Sequence, residues 1–193
     1  MQKITTRKLV ESAMLIAVGT VLSLIKIDMP MGGGITICSM LPLIILSHRY
    51  GWKWGVVSAF VYSALQLVLG LDNVGYVTDS FAMVLGVIFL DYIVAYTFIG
   101  FSGIFDKVIR NPRAAVAVGI AVTFVLRFVC HLITGMWIWD VLWPNDYGMS
   151  SFIYSFVYNG WYMAGELILT EIVAMLIYAP LGKYFRGEDL KKA

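Results

Sequence analysis

The chain has 193 residues, of which 60% are hydrophobic and only 13% charged, and its mean hydropathy is +0.83. An ordinary soluble domain carries roughly 25% charged residues and needs polar surface to cover its core, so the composition excludes a soluble fold and indicates a membrane protein. The net charge of +2 comes without a basic stripe interleaved with aromatic residues, which excludes nucleic acid as a partner.

Six apolar segments are predicted to be transmembrane helices, because a crossing needs ~20 mostly apolar residues to span ~30 Å of hydrocarbon. They lie at residues 9–27, 36–49, 54–71, 81–105, 114–139 and 152–182. The second segment is short, and it is predicted either to be tilted or to enter the bilayer only partway. Gly/Pro turns at 29–34, 111–112 and 143–145 are typical of loops between helices. We therefore predict an all-α, polytopic membrane protein with one transmembrane domain over residues 1–193.

The basic residues predict the orientation, because Lys and Arg in short loops mark the cytoplasmic face. With six crossings, one side holds Lys3, Arg7, Lys8, Arg49, Lys53, Lys107, Arg110, Arg113, Lys183, Arg186, Lys191 and Lys192. The other side holds only Lys26, with Asp28, Asp72, Asp79, Asp140 and Asp146. Both termini are predicted to be cytoplasmic. The first apolar run, about 19 residues without a cleavage site, is predicted to be a retained helix.

Ionisable side chains at membrane depth are costly, and each is a functional candidate. Asp91 lies in the fourth predicted helix and Arg127 in the fifth. In the fifth helix Arg127, His131, Gly135 and Trp139 recur at every fourth position, which places them on one helical stripe. Gly135 is predicted to leave a gap between His131 and Trp139 in which a flat group can lie.

The stripe faces further polar residues at a comparable depth. Tyr154 and Asn159 lie in the sixth predicted helix, and Asp91 is followed by Tyr92 in the fourth. Aromatic faces attract cations, and a mostly apolar site with a few convergent polar groups is typical of ligand pockets. The pattern predicts an outward-facing cavity for a cationic or heteroaromatic molecule.

Structural interpretations of the same residues remain open. His131 can make only a helix–helix hydrogen bond, and Asp91 can form a structural ion pair with Arg127. Trp139 and Tyr154 also fit an interfacial aromatic belt, as Trp143 does. Two acids stay unassigned to the ligand: Glu166, a possible partner of Arg127, and Glu171. The cysteines, Cys38 and Cys130, have neither disulfide nor metal spacing, so no metal or cofactor is predicted.

Four stretches resemble a known family. They are LPLIILSHRYGWKWG (41–55), LDYIVAYTFIGFSGIF (90–105), RFVCHLITGMWIW (127–139, with Pro144 after it) and IYSFVYNG (153–160). Together they resemble the thiamine-specific ThiT/YuaJ group among the S components of energy-coupling factor (ECF) vitamin transporters. The resemblance implies a six-helix subunit in the plasma membrane of a prokaryote, without catalytic activity. It captures thiamine outside the cell and associates with a membrane coupling subunit and two cytoplasmic ATPases.

The family's binding residues correspond to positions already selected above, by the cost of ionisable groups in a membrane and by helical spacing. They are Asp91, Tyr92, Arg127, His131, Gly135, Trp139, Tyr154 and Asn159. The family's docking motif for the coupling subunit corresponds to Ala13 and Ala17, small residues that also permit ordinary helix packing. The chain departs from some members at four places. It has Asp91 where they have Glu and Arg127 where they have Lys. It also has Phe81 where they have a tyrosine, and glycines at 32–34 where they have a loop tryptophan.

Three other functions remain as alternatives. The ligand can be a thiamine precursor or another vitamin-like heterocycle. An intramembrane hydrolase would need Ser102 and His131 within ~3 Å, whereas the predicted topology separates them. A proton-coupled carrier using Asp91 or Glu171 is the third. The chain has no ATP-binding Gly-rich loop, so active transport would need a partner ATPase or an ion gradient.

Overall fold

The computed structural model describes residues 5–29, 32–77 and 80–190. This part of the chain is mostly helical, which confirms the predicted class. The shorter helices are α1 (Thr6–Leu24), α2 (Leu41–Tyr50), α3 (Trp52–Leu69) and α4 (Leu71–Gly75). Three long helices follow. Two are composite, α5 (Phe81–Gly86, Val87–Val94, Ala95–Ile99) and α6 (Pro112–Thr134, Gly135–Trp139, Asp140–Leu142), and α7 (Ser151–Phe185) is one continuous α-helix. Two 3-10 helices, Ser102–Lys107 and Glu188–Leu190, complete the helical structure.

Four helices are long and apolar enough to cross a membrane: Trp52–Leu69, Phe81–Lys107, Pro112–Leu142 and Ser151–Leu190. Helix α1 has 19 residues, but Arg7, Lys8 and Glu11 lie in its first two turns. The six-crossing count and the cytoplasmic termini are not confirmed and stay predictions. Of the residues used for orientation, Lys3, Asp79, Lys191 and Lys192 lie outside the described residues.

The segment 36–49 differs from its prediction as one helix. Helix α2 begins only at Leu41, and all its residues except the last are buried. At 1.5 Å per residue its ten residues span about 15 Å, half of the hydrocarbon thickness. Gly51 follows at φ 86° and ends the helix, because glycine adopts positive φ without a Cβ penalty. Helix α2 is therefore a half-length helix inside the bundle.

The first outer connection, predicted as a loop, contains a β-hairpin. Strand β1 (Lys26–Asp28) pairs antiparallel with β2 (Gly34–Thr36), in the register Lys26↔Thr36 and Asp28↔Gly34. Pro30 and Met31, part of the predicted turn, lie outside the described residues. Gly32 and Gly33 have positive φ. A Cβ on Gly32 would lie 2.8 Å from Tyr158, and one on Gly33 would lie 2.5 Å from Tyr162. The hairpin therefore packs closely on α7.

Helix α6 packs between α5 and α7 and thereby brings the three polar helices together. The Asn111 side chain caps its start by accepting from the N–H groups of Arg113 and Ala114, with Pro112 in the first turn. Helix α7 starts with Ser150 accepting from the Ile153 N–H. Both starts follow ordinary capping rules. The predicted breaks at 111–112 and 143–145 are confirmed.

Helices α5 and α6 each contain a π-helical segment, at Val87–Val94 and Gly135–Trp139. A π-helix bonds residue i to i+5 and is found mostly as single widened turns, often at functional sites. Asp91 lies in the first segment, and Trp139 ends the second. With Tyr92 in the first segment and Gly135 in the second, the two widened segments therefore carry four of the eight predicted binding residues.

Candidate ligand-binding site

A cavity of about 530 Å³ opens where α6 ends and α7 begins, a size typical of small-molecule sites. All eight residues selected from the sequence line it: Asp91, Tyr92, Arg127, His131, Gly135, Trp139, Tyr154 and Asn159. The sequence analysis assigned none of the other lining residues to the ligand: Lys26, Gly33, Gly34, Asn73, Tyr96, Thr134, Asp140, Trp143, Ser155, Tyr158 and Tyr162. The prediction that the polar residues of α5, α6 and α7 share one cavity is correct. Contact of each residue with a ligand stays a prediction.

Asp91 is a buried carboxylate, 7% exposed, held by donors from α6. Trp139 Nε1 donates to its Oδ2 at 2.7 Å, and the Thr134 hydroxyl donates to its Oδ1. His131 Nδ1 lies 3.0 Å from the same Oδ1. None of the ion pairs within the described ranges joins Asp91 to a lysine or arginine. The carboxylate is therefore oriented by three donors of α6, and among the described residues its basic neighbour is the imidazole of His131 rather than a lysine or arginine.

Arg127 does not pair with Asp91, so the structural ion pair considered from the sequence is wrong. Its Nη1 donates to Glu166 Oε2 at 2.6 Å, and its guanidinium lies 4.8 Å from the Tyr96 ring centre. Glu166 also accepts from the Thr36 hydroxyl of strand β2. The basic group of the cavity is thus neutralised by an acid of α7, which is linked in turn to the hairpin.

His131 and Arg127 each present an atom that the protein leaves unsatisfied. His131 Nε2 and Arg127 Nε are buried and have no hydrogen-bond partner among the described residues. A buried polar atom without a partner costs about 1–3 kcal/mol. His131 therefore makes the helix–helix hydrogen bond of the structural interpretation through Nδ1, while Nε2 remains available to a ligand.

Asn159 joins α7 to α6 rather than presenting a free amide. Its Nδ2 donates to the Ser155 carbonyl at 2.9 Å and to the His131 carbonyl at 3.3 Å, and its Oδ1 accepts from the Tyr162 hydroxyl at 3.0 Å. With these partners the amide fixes the spacing of the two helices. A direct ligand contact by Asn159 would need one of these bonds to be exchanged.

Gly135 permits a close approach of α6 to α7, which changes the interpretation of the predicted gap. A Cβ there would overlap the Ser155 hydroxyl and lie 3.2 Å from Asn159 Nδ2. The direction in which a side chain would point is therefore filled by α7. Gly135 still lines the cavity with its backbone.

The aromatic residues form the rim of the cavity. Trp139 stacks on Trp143 with ring centres 5.7 Å apart and planes at 16°. Tyr154 stacks on Tyr147 at 5.9 Å. Trp143, which the sequence interpretation assigned to the membrane belt, is thus part of the cavity wall, although half of its surface is exposed.

Tyr92 anchors the chain that follows α3. Its hydroxyl donates to the Gly70 carbonyl at 3.2 Å and accepts from Asn73 Nδ2 at 3.3 Å. Its ring packs with Val87 and Ile138 in a small apolar cluster. Tyr92 lines the cavity while holding this wall in place.

The geometry fits the chemistry that the sequence predicted, and comparison with known proteins identifies the family. A family model described as "Thiamine transporter protein (Thia_YuaJ)" matches residues 9–186. The chain belongs to the thiamine transporter family. The Bacillus subtilis (strain 168) thiamine transporter ThiT is 29% identical over 193 residues, covering 94% of this chain and 95% of that protein.

Two solved structures share the fold of this thiamine transporter family member. A ThiT structure from Listeria monocytogenes matches with a TM-score of 0.74 at 23% identity, over 93% of this chain and 97% of that one. A structure described as the S component of a bacterial ECF transporter matches with a TM-score of 0.54 at 21% identity, over 93% and 98%. The predicted S-component-like bundle is therefore confirmed at the level of fold.

The intramembrane hydrolase alternative fails on distance. A Cβ on Gly119 of α6 would lie 2.6 Å from the Ser102 carbonyl, which places Ser102 beside Gly119. His131 is twelve residues further along the same helix, or roughly 18 Å at 1.5 Å per residue. A nucleophile and its base must come within ~3 Å, so these two residues form no catalytic pair.

Ala13 and Ala17, the predicted docking residues, lie on the exposed side of α1. Large apolar residues surround them on that side, with Met14 63% and Val18 48% exposed. Gly19 instead faces inward, where a Cβ would lie 2.7 Å from the Ser39 carbonyl. The α1 surface available for a partner or for lipid is therefore apolar, and its role as a docking surface stays a prediction.

Proposed function

We propose that this thiamine transporter family member is the thiamine-binding S component of an ECF-type, ATP-driven vitamin uptake transporter. The observation that carries the proposal is Asp91, a buried carboxylate without a lysine or arginine partner among the described residues. It lies in a cavity whose rim is aromatic. Burying a carboxylate that has no permanent positive charge beside it is costly even when its oxygens accept hydrogen bonds, and a ligand cation lowers that cost.

Thiamine has the complementary chemistry, a permanently cationic thiazolium ring and a flat aminopyrimidine ring. Asp91 offsets the positive charge, and the stacked indoles of Trp139 and Trp143 offer faces that attract cations. His131 Nε2, which has no protein partner in the described structure, meets a polar edge of the ligand. Tyr154, Tyr92 and Asn159 complete the wall and orient the ligand.

In the proposed transporter the energy for uptake comes from partner subunits, which agrees with the lack of a P-loop in the sequence. A membrane coupling subunit docks on the exposed α1 face around Ala13 and Ala17, and two cytoplasmic ATPases drive transport. The protein lies in the plasma membrane of a prokaryote with six crossings and both termini inside. The aqueous cavity then faces outward.

The decisive measurement is titration of the purified protein with thiamine by calorimetry. A Kd no better than ~1 mM, about −4 kcal/mol, would remove the ligand assignment. Reconstitution into liposomes is the second arm. The chain alone should bind but not accumulate thiamine, and ATP-dependent uptake should require the coupling subunit and ATPases. Uptake by the chain alone would instead favour the proton-coupled carrier.

A related heterocycle is the second candidate ligand, and Lys26 is the observation that favours testing it. This lysine lines the cavity mouth, where it pairs with Asp28 at 3.1 Å. Because both side chains of this pair are exposed and such pairs are weak, an anionic substituent of a ligand can compete with Asp28 for the Lys26 ammonium. Competition among thiamine, thiamine monophosphate and the neutral aminopyrimidine precursor separates the candidates, since the tightest competitor is the transported class.

A further inference from the structure

A second cavity, of about 370 Å³, lies at the opposite end of the bundle from the thiamine cavity. It is formed where α2 ends, α6 begins and α7 ends, and it combines basic and apolar residues. His48, Arg110 and Arg186 supply its basic groups, while Val116 and Phe185 supply apolar walls. The proposed thiamine chemistry uses none of these residues.

His48 is the buried polar group of this cavity. Its side chain is 2% exposed, and its Nδ1 lies 2.8 Å and 3.0 Å from the two carboxylate oxygens of Asp106. Its Nε2 is buried without a hydrogen-bond partner in the part of the chain that the structure describes. When both ring nitrogens carry a hydrogen, the Nδ1–H donates to the Asp106 carboxylate and the Nε2–H is left to donate to a ligand.

The surrounding charges favour an anion as that ligand. The acid Asp106 is bound by His48, and Glu188 by Arg186 Nε at 2.6 Å. Arg186 Nη1 also donates to the Tyr178 hydroxyl at 2.9 Å. Arg110 belongs to none of the ion pairs formed within residues 5–29, 32–77 and 80–190.

A further cation stands beside this wall of the cavity. The Arg113 guanidinium lies 5.7 Å from the centre of the Tyr178 ring, and Tyr178 lines the cavity. Asp106 and Glu188 each have a basic partner, whereas Arg110 and Arg113 belong to no ion pair among the described residues. The mouth of the cavity therefore carries excess positive charge. Arginine guanidinium groups match phosphate oxygens in charge and geometry.

We propose that this cavity binds a phosphate-bearing anion, held by Arg110, Arg186 and the Nε2–H of His48, and that its source is the headgroup of an anionic phospholipid. Basic pockets between helices at the cytoplasmic side are sites for such headgroups. The apolar walls favour a lipid over free phosphate, because free phosphate has no apolar group to pack against them. The site is independent of the thiamine cavity, so its failure leaves the thiamine proposal unchanged.

The test is a titration of the purified, detergent-solubilised protein followed by native mass spectrometry. The three probes are a short-chain phosphatidylglycerol, the matching phosphatidylcholine and inorganic phosphate. We expect saturable binding of phosphatidylglycerol at least about five-fold tighter than phosphatidylcholine, the factor that one basic contact supplies. Saturable binding of inorganic phosphate with no gain from the lipid supports the anion site but overturns the lipid as its source.

The variants locate the site. Arg110→Gln should weaken phosphatidylglycerol binding about five-fold. His48→Asn keeps a donor to Asp106 but removes Nε2, and it should also weaken binding. Lys183→Gln is the matched control and should change binding less than two-fold. It also removes a positive charge near the end of α7, but Lys183 is exposed and does not line the cavity. The circular dichroism spectrum and the thermal unfolding midpoint of each variant check that it is folded. Equal binding in folded Arg110→Gln and Lys183→Gln variants, or no selectivity over phosphatidylcholine, overturns the proposal.

Discussion

Replacing Asp91 by asparagine tests the charge complementarity of the thiamine cavity. The substitution keeps the size of the side chain and removes its charge, while an amide oxygen remains to accept from Thr134 or Trp139. The native carboxylate is 7% exposed, so bulk water screens it weakly. At ~5 Å and an effective dielectric constant of ~20, a ligand cation gains about 3 kcal/mol from this charge. We therefore expect thiamine affinity to fall on the order of 100-fold.

The assay separates charge from hydrogen bonding by using two ligands. Calorimetric titration compares thiamine with an isosteric analogue in which a neutral thiophene replaces the thiazolium ring. The neutral analogue should lose about ten-fold or less on Asp91→Asn, because it loses at most an altered hydrogen-bond arrangement. Asp72→Asn, which removes an exposed carboxylate of α4 away from the cavity lining, is the control and should leave both affinities nearly unchanged.

Equal losses for the two ligands would refute the charge argument. Asp91 would then act only by positioning Trp139 and His131, whose nitrogen atoms lie 2.7 Å and 3.0 Å from its carboxylate oxygens. In that case Trp139→Phe should reproduce the Asp91→Asn loss for both ligands. An Asp91→Asn variant that retains full thiamine affinity would also contradict the proposal.

Three further substitutions test the framework around the cavity. Glu166→Gln should lower the free energy of unfolding by about 3 kcal/mol, because it leaves buried Arg127 without its ion-pair partner. Denaturant titration measures this loss, and adding Arg127→Gln should recover part of it. Gly135→Ala should lower the free energy of unfolding by about 1–3 kcal/mol through overpacking against α7. Adding Ser155→Gly should restore stability, because it removes the side chain that the new methyl group overlaps. A Gly135→Ala variant as stable as the parent would refute the close approach of α6 to α7. Trp139→Phe removes one indole donor and should weaken thiamine about ten-fold, measured by calorimetry, while an unchanged affinity would show that ring shape alone matters.

The sequence predicted the fifth helix of the site well because helical periodicity acts over short distances. Arg127 and His131 lie one turn apart in a regular α-helix, and Gly135 follows one turn later where the π-helical segment begins, so their common orientation follows from their numbers alone. The cost of ionisable groups in a membrane then selected Asp91. Both arguments use local spacing or single residues, and neither needs knowledge of the packing.

The missed features depend on tertiary structure or on neutral side chains. Thr134 and Tyr96 carry no charge, so the cost of ionisable groups in a membrane does not single them out. Thr134 nevertheless donates a hydrogen bond directly to Asp91. The hairpin strands have three residues each, too short for an alternating pattern. The pair of Arg127 with Glu166, 39 residues apart, depends on the relative depth of two antiparallel helices. Sequence spacing suggested that pair, but only the structure decides between Glu166 and Asp91 as the partner.

The widened turns of α5 and α6 have a consequence for how such a protein diversifies. A regular α-helix advances about 100° per residue, so a widened turn puts the outer part of the helix out of phase with its inner part. Removing one residue from 87–94 would rewind that stretch and rotate Asp91 away from Trp139 without altering a single contact residue. We therefore expect a one-residue deletion within 87–94 or 135–139 to change the lining of the cavity more than a single substitution there does.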